Sequence, residues 1–466
     1  MFSRMGADNF KSWRATGDIE LAPVTGFFGT NSSGKSSLLQ LLLLMKQTTA
    51  SADRRQVLNL GGDDRSPASL GLIRDVVFNH DLERALRFRF EWRPPDPIRP
   101  PDPVRPSGSL FSAEAVAFET VVAVRQDQLY VDRFEYRSED TRIDMVSSKA
   151  PRHRRDPEYQ LNATVAGREN FLTRVAGRAW PLPPPAKCYG FPDEVLAYFQ
   201  NSEFVGSFEL ELERQFGERV FYLGPLRSYP ERQYTWQGSR PADVGRAGDR
   251  AIEALLASRL RGKTNARRVN SRGRAVRRIS VEEHVAGWLK DLDLISSFDV
   301  ERISEDADIY RVLVRRSATS TPVLLTDVGF GVSQILPVLV LLAYVPAGST
   351  VLLEQPEIHL HPAVQAGLAD VILEAAQIRG VQVLVESHSE HLLKRLQRRV
   401  AEERAKAENI ALYFCDHDGT ASTIERLALN LLGEIDNWPT NFFGDPLGET
   451  GAIVTAGLRR RLDEIA

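Results

Sequence analysis

Gly29-Thr-Asn-Ser-Ser-Gly34-Lys35-Ser36 fits the spacing G-x-x-x-x-G-K-[ST], with an apolar run at 24–28 before it and another at 38–45 after it. This order of strand, tight glycine loop and helix turns the pattern into a structural statement. Gly29 and Gly34 permit backbone geometry closed to side chains. The N–H groups of Thr30, Asn31, Ser32, Ser33 and Ser37 can then converge on phosphate oxygens, and the following helix adds its positive end. Lys35 is placed to pair the β- and γ-phosphates, and Ser36 to hold Mg²⁺. The local sequence therefore demands an α/β fold in which a parallel strand delivers a nucleoside triphosphate site.

The rest of the chain limits the alternatives. A length of 466 residues with 42% hydrophobic side chains supports two or three packed units. A net charge of -3 argues against attraction of the whole molecule to nucleic acid, so any such contact must be local. Cys188 and Cys415 stand alone without metal-ligand spacing, which implies neither disulfide framework nor zinc site and fits a reducing, cytoplasmic setting. The longest apolar run, 335–345, is interrupted by Pro337 and too short to span a bilayer, so no membrane partner is expected.

Beyond the phosphate loop, alternation at 86–90, 115–124, 129–136 and 159–165 predicts antiparallel strands, with the proline-rich stretch 94–106 as an extended connection. Helix is expected over about 193–217, then the strand 220–223 and the turn Gly224-Pro225. From 308 onward the α/β rhythm returns, with strands near 309–315, 322–326, 350–354, 381–386 and 410–415 and helices from about 333, 362 and 389. The expected units are 1–80 (first part of the nucleotide domain), 81–217 (inserted β-rich and helical part), 218–306 (connecting segment), 307–420 (second part of the nucleotide domain) and 421–466 (tail). Residues 259–278 carry Arg259, Arg261, Lys263, Arg267, Arg268, Arg272, Arg274, Arg277 and Arg278. That segment reads either as a solvated loop or as a contact for DNA or an acidic partner.

Two strand ends complete the site. Val351-Leu-Leu-Glu354-Gln355-Pro-Glu357 places Glu354 at the carboxyl edge of a sheet as the metal-side carboxylate, and Val383-Leu-Val-Glu-Ser-His388 brings His388 to the same edge. Upstream, Asp327-Val-Gly329-Phe-Gly331-Val-Ser333-Gln334 enters an apolar helix, with Pro337 expected in its first turn. One nucleotide needs only one anion-ready helix start, so this second one is expected to serve the nucleotide of another subunit.

The strings FFGTNSSGKSSLLQ, YLGPLRSYPERQY, DVGFGVSQILPVL, VLLEQPEIHLHP and VESHSEHLL, in this order, resemble the ABC-type ATPases of the SMC, RecF and OLD (overcoming-lysogenization-defect) kind, grouped among prokaryotic AAA-family ATPases. The tail NWPTNFFGDPLGE resembles that of one subgroup. The resemblance implies an ABC-type head with an inserted antiparallel subdomain and an ATP-dependent homodimer with two sandwiched ATP molecules. It makes Glu354 the Walker B acid and His388 the switch histidine, and it makes Gly331, Ser333 and Gln334 part of a signature acting across the dimer. The glutamine of the family's Q-loop would be Gln47 or Gln56, and the loop after Phe10-Lys11 would approach the nucleotide. Phage defence or genome maintenance are the family settings, with any nuclease or other effector a separate chain.

Two departures bear on rate. The residue after the Walker B acid is Gln355 rather than a water-activating glutamate, which removes general-base help worth about 10² to 10⁴ unless Glu357 replaces it. Gly329 stands where the signature serine is often found. Both imply slow turnover, and Gln355 leaves open a nucleotide-locked scaffold with little hydrolysis. A GTPase or small-molecule kinase is disfavoured, since no N-K-x-D motif is present.

Overall fold

A computed structural model describes residues 1–463 apart from 63–65, 103–106, 126–127, 149–157, 178–179, 264, 267–276, 305–306, 440–441 and 444–445. Its centre is a six-stranded sheet in the order Val220–Leu223, Thr350–Glu354, Gln382–Glu386, Val24–Gly29, Ile410–His417, Ser422–Leu427. The first five strands are parallel and the last is antiparallel to its neighbour.

Both faces of this sheet are covered, which explains why its strands read as unbroken apolar runs rather than alternating ones. Leu352 and Leu384 point into one core while Val351, Leu353, Val383 and Val385 point into the other. The first core holds the helix Lys35–Ala50, whose Leu38, Leu39 and Leu41 to Met45 are all buried, together with a large antiparallel sheet. The second core is built by the helices Ala251–Arg259, Val281–Asp291, Phe330–Tyr344, Pro362–Gln377 and Glu390–Ala401.

The antiparallel sheet contains the expected strands, observed as Leu86–Trp92, Val116–Arg125, Gln128–Ser138 and Tyr159–Thr164, and adds Thr141–Ser147. It also recruits the N-terminal strand Phe2–Phe10, which pairs with Leu86–Trp92. The chain's start and its inserted segment therefore share one sheet. A buried aromatic group of Phe2, Phe90, Trp92 and Phe216 fastens that sheet to the helical turn Arg214–Glu218, which leads into the strand Val220–Leu223, with ring centroids 5.0–6.4 Å apart.

Pro337 is not in the first turn, as the sequence reading expected: the helix begins at Phe330, so the proline lies well inside it. The helix survives because residues Val332 to Tyr344 are buried and packing holds it. The backbone of Gly248 lies against the ring, where a Cβ would come within 2.5 Å of Pro337 Cβ.

Within the tail, Phe442 packs onto the phosphate-loop strand. Phe442 and Phe443 stack at 4.3 Å, and Phe442 meets Phe414 at 4.8 Å and Phe28 at 6.3 Å, one residue before the phosphate loop. Asn437 ties the segment down by accepting from the Ala428 N–H and donating to the Arg426 carbonyl. Phe442→Ala is expected to cost about 3 kcal/mol, at the low end for a buried phenylalanine. A shift in denaturant midpoint with an unchanged slope would show it; a midpoint within error of wild type would remove the tail from the core.

Candidate functional site

The phosphate loop is fixed by close backbone approach. Gly29 has φ 135°, and a Cβ there would lie 1.9 Å from the Cys415 carbonyl oxygen. At Gly34, with φ 86°, a Cβ would sit within 2.8 Å of Ser12 Oγ, Ser422 Oγ and Trp13 Nε1. The segment after Phe10-Lys11 thus abuts the loop, and Trp13 Nε1 donates to the Gly34 carbonyl at 3.2 Å. Thr30 Oγ1 donates to Asp416 at 3.0 Å, while Asn31 and Ser32 are exposed at the loop's crest. The Lys35 ammonium, buried, donates to the carbonyls of Thr30 (2.6 Å) and Gly29 (3.2 Å) and to Ser33 Oγ (3.3 Å). These oxygens hold the cation with acceptors that phosphate oxygens can replace. Burial lowers its pKa, opposed first by Glu386.

The neighbouring strand ends bring carboxylates to the same edge. Parallel register sets Glu354 beside Glu386, and Glu386 beside Phe27 of the phosphate-loop strand. Ser36 Oγ donates to Glu386 Oε1 at 2.9 Å, and Tyr222 Oη donates to Glu354 Oε2 at 2.5 Å. Sequence reasoning singled out Glu354 and passed over Glu386. The signal was present in two like strand endings, VLLE and VLVE, which a parallel sheet places side by side. Burial, then the Glu354 charge, pushes the Glu386 carboxyl up to about 7, and its Oε2 is buried without a partner. Like charges converging beside a serine hydroxyl suit a hard divalent cation. Among the described residues no group of three His, Cys, Asp or Glu forms a metal cage.

A pH dependence follows. Burial pushes the Glu386 carboxyl from the ordinary 4.5 up to about 7, so its contribution to stability is fully present below about 4.5 and lost as pH rises through 7. Metal-free wild type should lose stability across that window, and Glu386→Gln should flatten the loss; denaturant midpoints that change identically with pH in the two proteins at pH 5, 6 and 7 would refute this.

The turn after Glu354 places the remaining candidates. Gln355 sits at φ 42° and donates its N–H to the Glu386 carbonyl at 2.9 Å. Glu357 is buried; its Oε1 accepts the His388 backbone N–H at 2.6 Å and its Oε2 has no partner. Burial raises the Glu357 pKa. Burial, then Lys35, lowers that of His388, so its ring is neutral at pH 7. One edge thereby gathers Lys35, Ser36, Glu354, Gln355, Glu357, Glu386 and His388.

Other expected residues lie elsewhere. Ser333 is buried and its Oγ donates to its own helix at the Phe330 carbonyl, while Gln334 is buried with Nε2 unpartnered. Gly329 and Phe330 are exposed and Gly331 is half-buried, so backbone groups form the open part of this helix start. Gln47 holds the Asn59 carbonyl and the Ala68 N–H, and Gln56 accepts from Ser51 Oγ; both line a cavity of about 800 Å³ with Lys46, Tyr222 and Arg246. Within the basic segment, Arg259 forms a two-point pair with Glu282, Arg261 stacks on Tyr344, and Lys263 and Arg277 lie near Glu283. Arg267, Arg268, Arg272 and Arg274 lie outside the described residues.

Residues 198–394 match the family described as "AAA domain, putative AbiEii toxin, Type IV TA system". This AAA-type match covers less than half of the chain and begins after the phosphate loop. The matched residues include the Glu354 and His388 strand ends, and the phosphate loop precedes them. Residues 406–453, including the aromatic tail, match a protein family of unknown function, DUF3696. No curated protein matches the chain significantly. Similar solved structures include an SMC head bound to the C-winged helix domain of ScpA, at 10% identity and TM-score 0.44, covering 92% of this chain and 98% of that one. Another is the SMC head domain from Thermotoga maritima, at 10% identity and TM-score 0.37, covering 91% and 98%. A third is an SMC head with an extended coiled coil bound to the C-terminal domain of ScpA derived from Pyrococcus furiosus, at 10% and 0.44, covering 91% and 96%. No helix among the described residues is long and apolar enough to cross a membrane.

Proposed function

We propose that this ATPase domain binds ATP with Mg²⁺, closes as a homodimer around it and reopens on slow hydrolysis, passing the change to a separate effector protein. The observation that carries the reading is the meeting of Lys35, Ser36 and Glu386 with Glu354 on adjacent parallel strands. Lys35 and the loop N–H groups hold the triphosphate. Ser36, Glu386 and Glu354 supply oxygens to Mg²⁺, which would neutralise charge between the terminal phosphates. Glu357 Oε2 accepts the proton of the attacking water as the bond from the γ-phosphorus to the bridging oxygen breaks. His388, neutral, donates to the γ-phosphate.

The exposed start of the helix Phe330–Tyr344 is the surface offered to a second copy. It carries Phe330, which meets Tyr229 at a tilt and His359 edge-on, with centroids 5.5 and 4.9 Å away. Light scattering with a non-hydrolysable ATP analogue and Mg²⁺ should show a doubled mass that reverts with ADP; a monomer at saturation rejects the dimer. A DNA contact rests on the arginines of 259–278 alone, and several of these are engaged within the chain. Gln355 favours a second reading, a scaffold that binds ATP and scarcely hydrolyses it. Wild-type phosphate release separates the two.

A further inference from the structure

The segment following strand Val220–Leu223 inverts the usual preference of side chains for core and solvent. Leu226 is 80% exposed and Tyr229 is 77% exposed, while Arg227 between them is 9% exposed. The inversion is imposed by the backbone: the Gly224 N–H donates to the Arg246 carbonyl and the Ser228 N–H to the Ala247 carbonyl, both at 2.9 Å, fastening the segment on either side of the arginine. Arg227 has nowhere to turn but inward.

Inside, its Nε and Nη1 are buried with no hydrogen-bond partner, and it makes no ion pair among the described residues. Unpaired burial of a guanidinium is costly, and folded chains keep such a group only where an anion completes it. Leu223, four residues before it, pairs in parallel register with Leu353, so the segment leaves the sheet at the same edge as Glu354; the charges of Tyr222, Glu354 and Glu357 act on it, and burial brings its pKa down to about 10. Neither carboxylate is spent on it: Glu354 takes the Tyr222 hydroxyl and Glu357 takes the His388 N–H. A planar fork with free donors, fixed beside the general-base candidate, is suited to the tetrahedral oxygens of a phosphate.

We propose that Arg227 is the cation which this chain presents, from its own subunit, to the terminal phosphate of the nucleotide. The inference rests on the ATP reading above and deepens it. Arg227 would take up charge that develops on the γ-phosphate oxygens as the bond to the β-phosphate breaks. The same contact would make the site tell ATP from ADP, because only ATP carries the group it reaches.

The test compares full-length wild type, Arg227→Ala and Arg227→Lys, with equilibrium binding of a non-hydrolysable ATP analogue and of ADP measured separately, and single-turnover hydrolysis of ATP. Arg227→Ala should weaken the ATP analogue about 10- to 100-fold while ADP affinity changes less than about twofold. Its hydrolysis rate should fall about 10³-fold, as for arginines that act on transferred phosphoryl groups. Arg227→Lys should recover part of the affinity and little of the rate, since a point charge lacks the fork. It also carries the test should the alanine variant fail to fold. Equal losses for both nucleotides, or unchanged selectivity with unchanged rate, overturn the proposal. Wild type that prefers ATP while the variants keep that preference refutes the role of Arg227 alone. Wild type that binds neither nucleotide takes the ATP reading down as well.

Discussion

Lys35→Ala should weaken MgATP binding by at least about 100-fold while leaving the protein folded. Lys35 is 3% exposed, and its ammonium is the group at the loop able to place several charge-assisted donors on the β- and γ-phosphates. Each such bond is worth about 1.5–3 kcal/mol, so the loss of two accounts for a factor of 100 or more. Stability should change little, because removing the buried ammonium relieves the desolvation that lowers the lysine's pKa and so offsets the loss of its three hydrogen bonds to the loop. Calorimetric titration together with a thermal melt separates these effects. An affinity within fivefold of wild type would mean that the loop N–H groups alone hold the nucleotide, and Lys35 would lose its assigned role.

Glu357→Gln should leave ATP binding intact and lower turnover about 10²- to 10⁴-fold. Its amide oxygen can still accept the His388 N–H that Glu357 Oε1 accepts at 2.6 Å, so the local geometry survives. What disappears is a basic lone pair at Oε2, an atom buried beside the site with no partner. Burial raises the proton affinity of Glu357, which moves a carboxylate towards the range where it can accept a proton near neutral pH. Gln355→Glu is the companion variant: position 355 lies in a left-handed turn and its backbone is engaged with the Glu386 carbonyl, so a carboxylate there should change the rate little. Phosphate release by all three proteins decides among the readings. A fast Gln355→Glu enzyme would move the base to 355, and a wild type without turnover would favour the scaffold.

The strands that form the site were legible because each is short, apolar throughout and ended by polar residues, which is what burial on both faces requires. Thr350–Glu354 and Val220–Leu223 fall where the sequence placed them. What escaped depends on contacts distant in sequence. Phe2–Phe10 is defined by its pairing with Leu86–Trp92, and nothing local announces a partner some eighty residues away. Glu386 becomes a site residue only when parallel register sets it beside Glu354 and the phosphate-loop helix turns Ser36 towards it. Ser333 shows the converse: the family resemblance implied a role across a dimer, but its hydroxyl closes onto its own helix. Arg227 was visible as a residue, yet its burial between two exposed apolar neighbours is a property of the folded backbone.

The central claim is that a triphosphate and Mg²⁺ meet at Lys35, Ser36, Glu354 and Glu386. Titration of the purified full-length chain with ATP, with Mg²⁺ and with the metal chelated, tests it most directly. The account predicts saturable binding of one ATP per chain that weakens at least tenfold when the metal is removed, with Ser36→Ala weakening binding only in the presence of metal. Binding that is indifferent to Mg²⁺, or no binding at all, would contradict it.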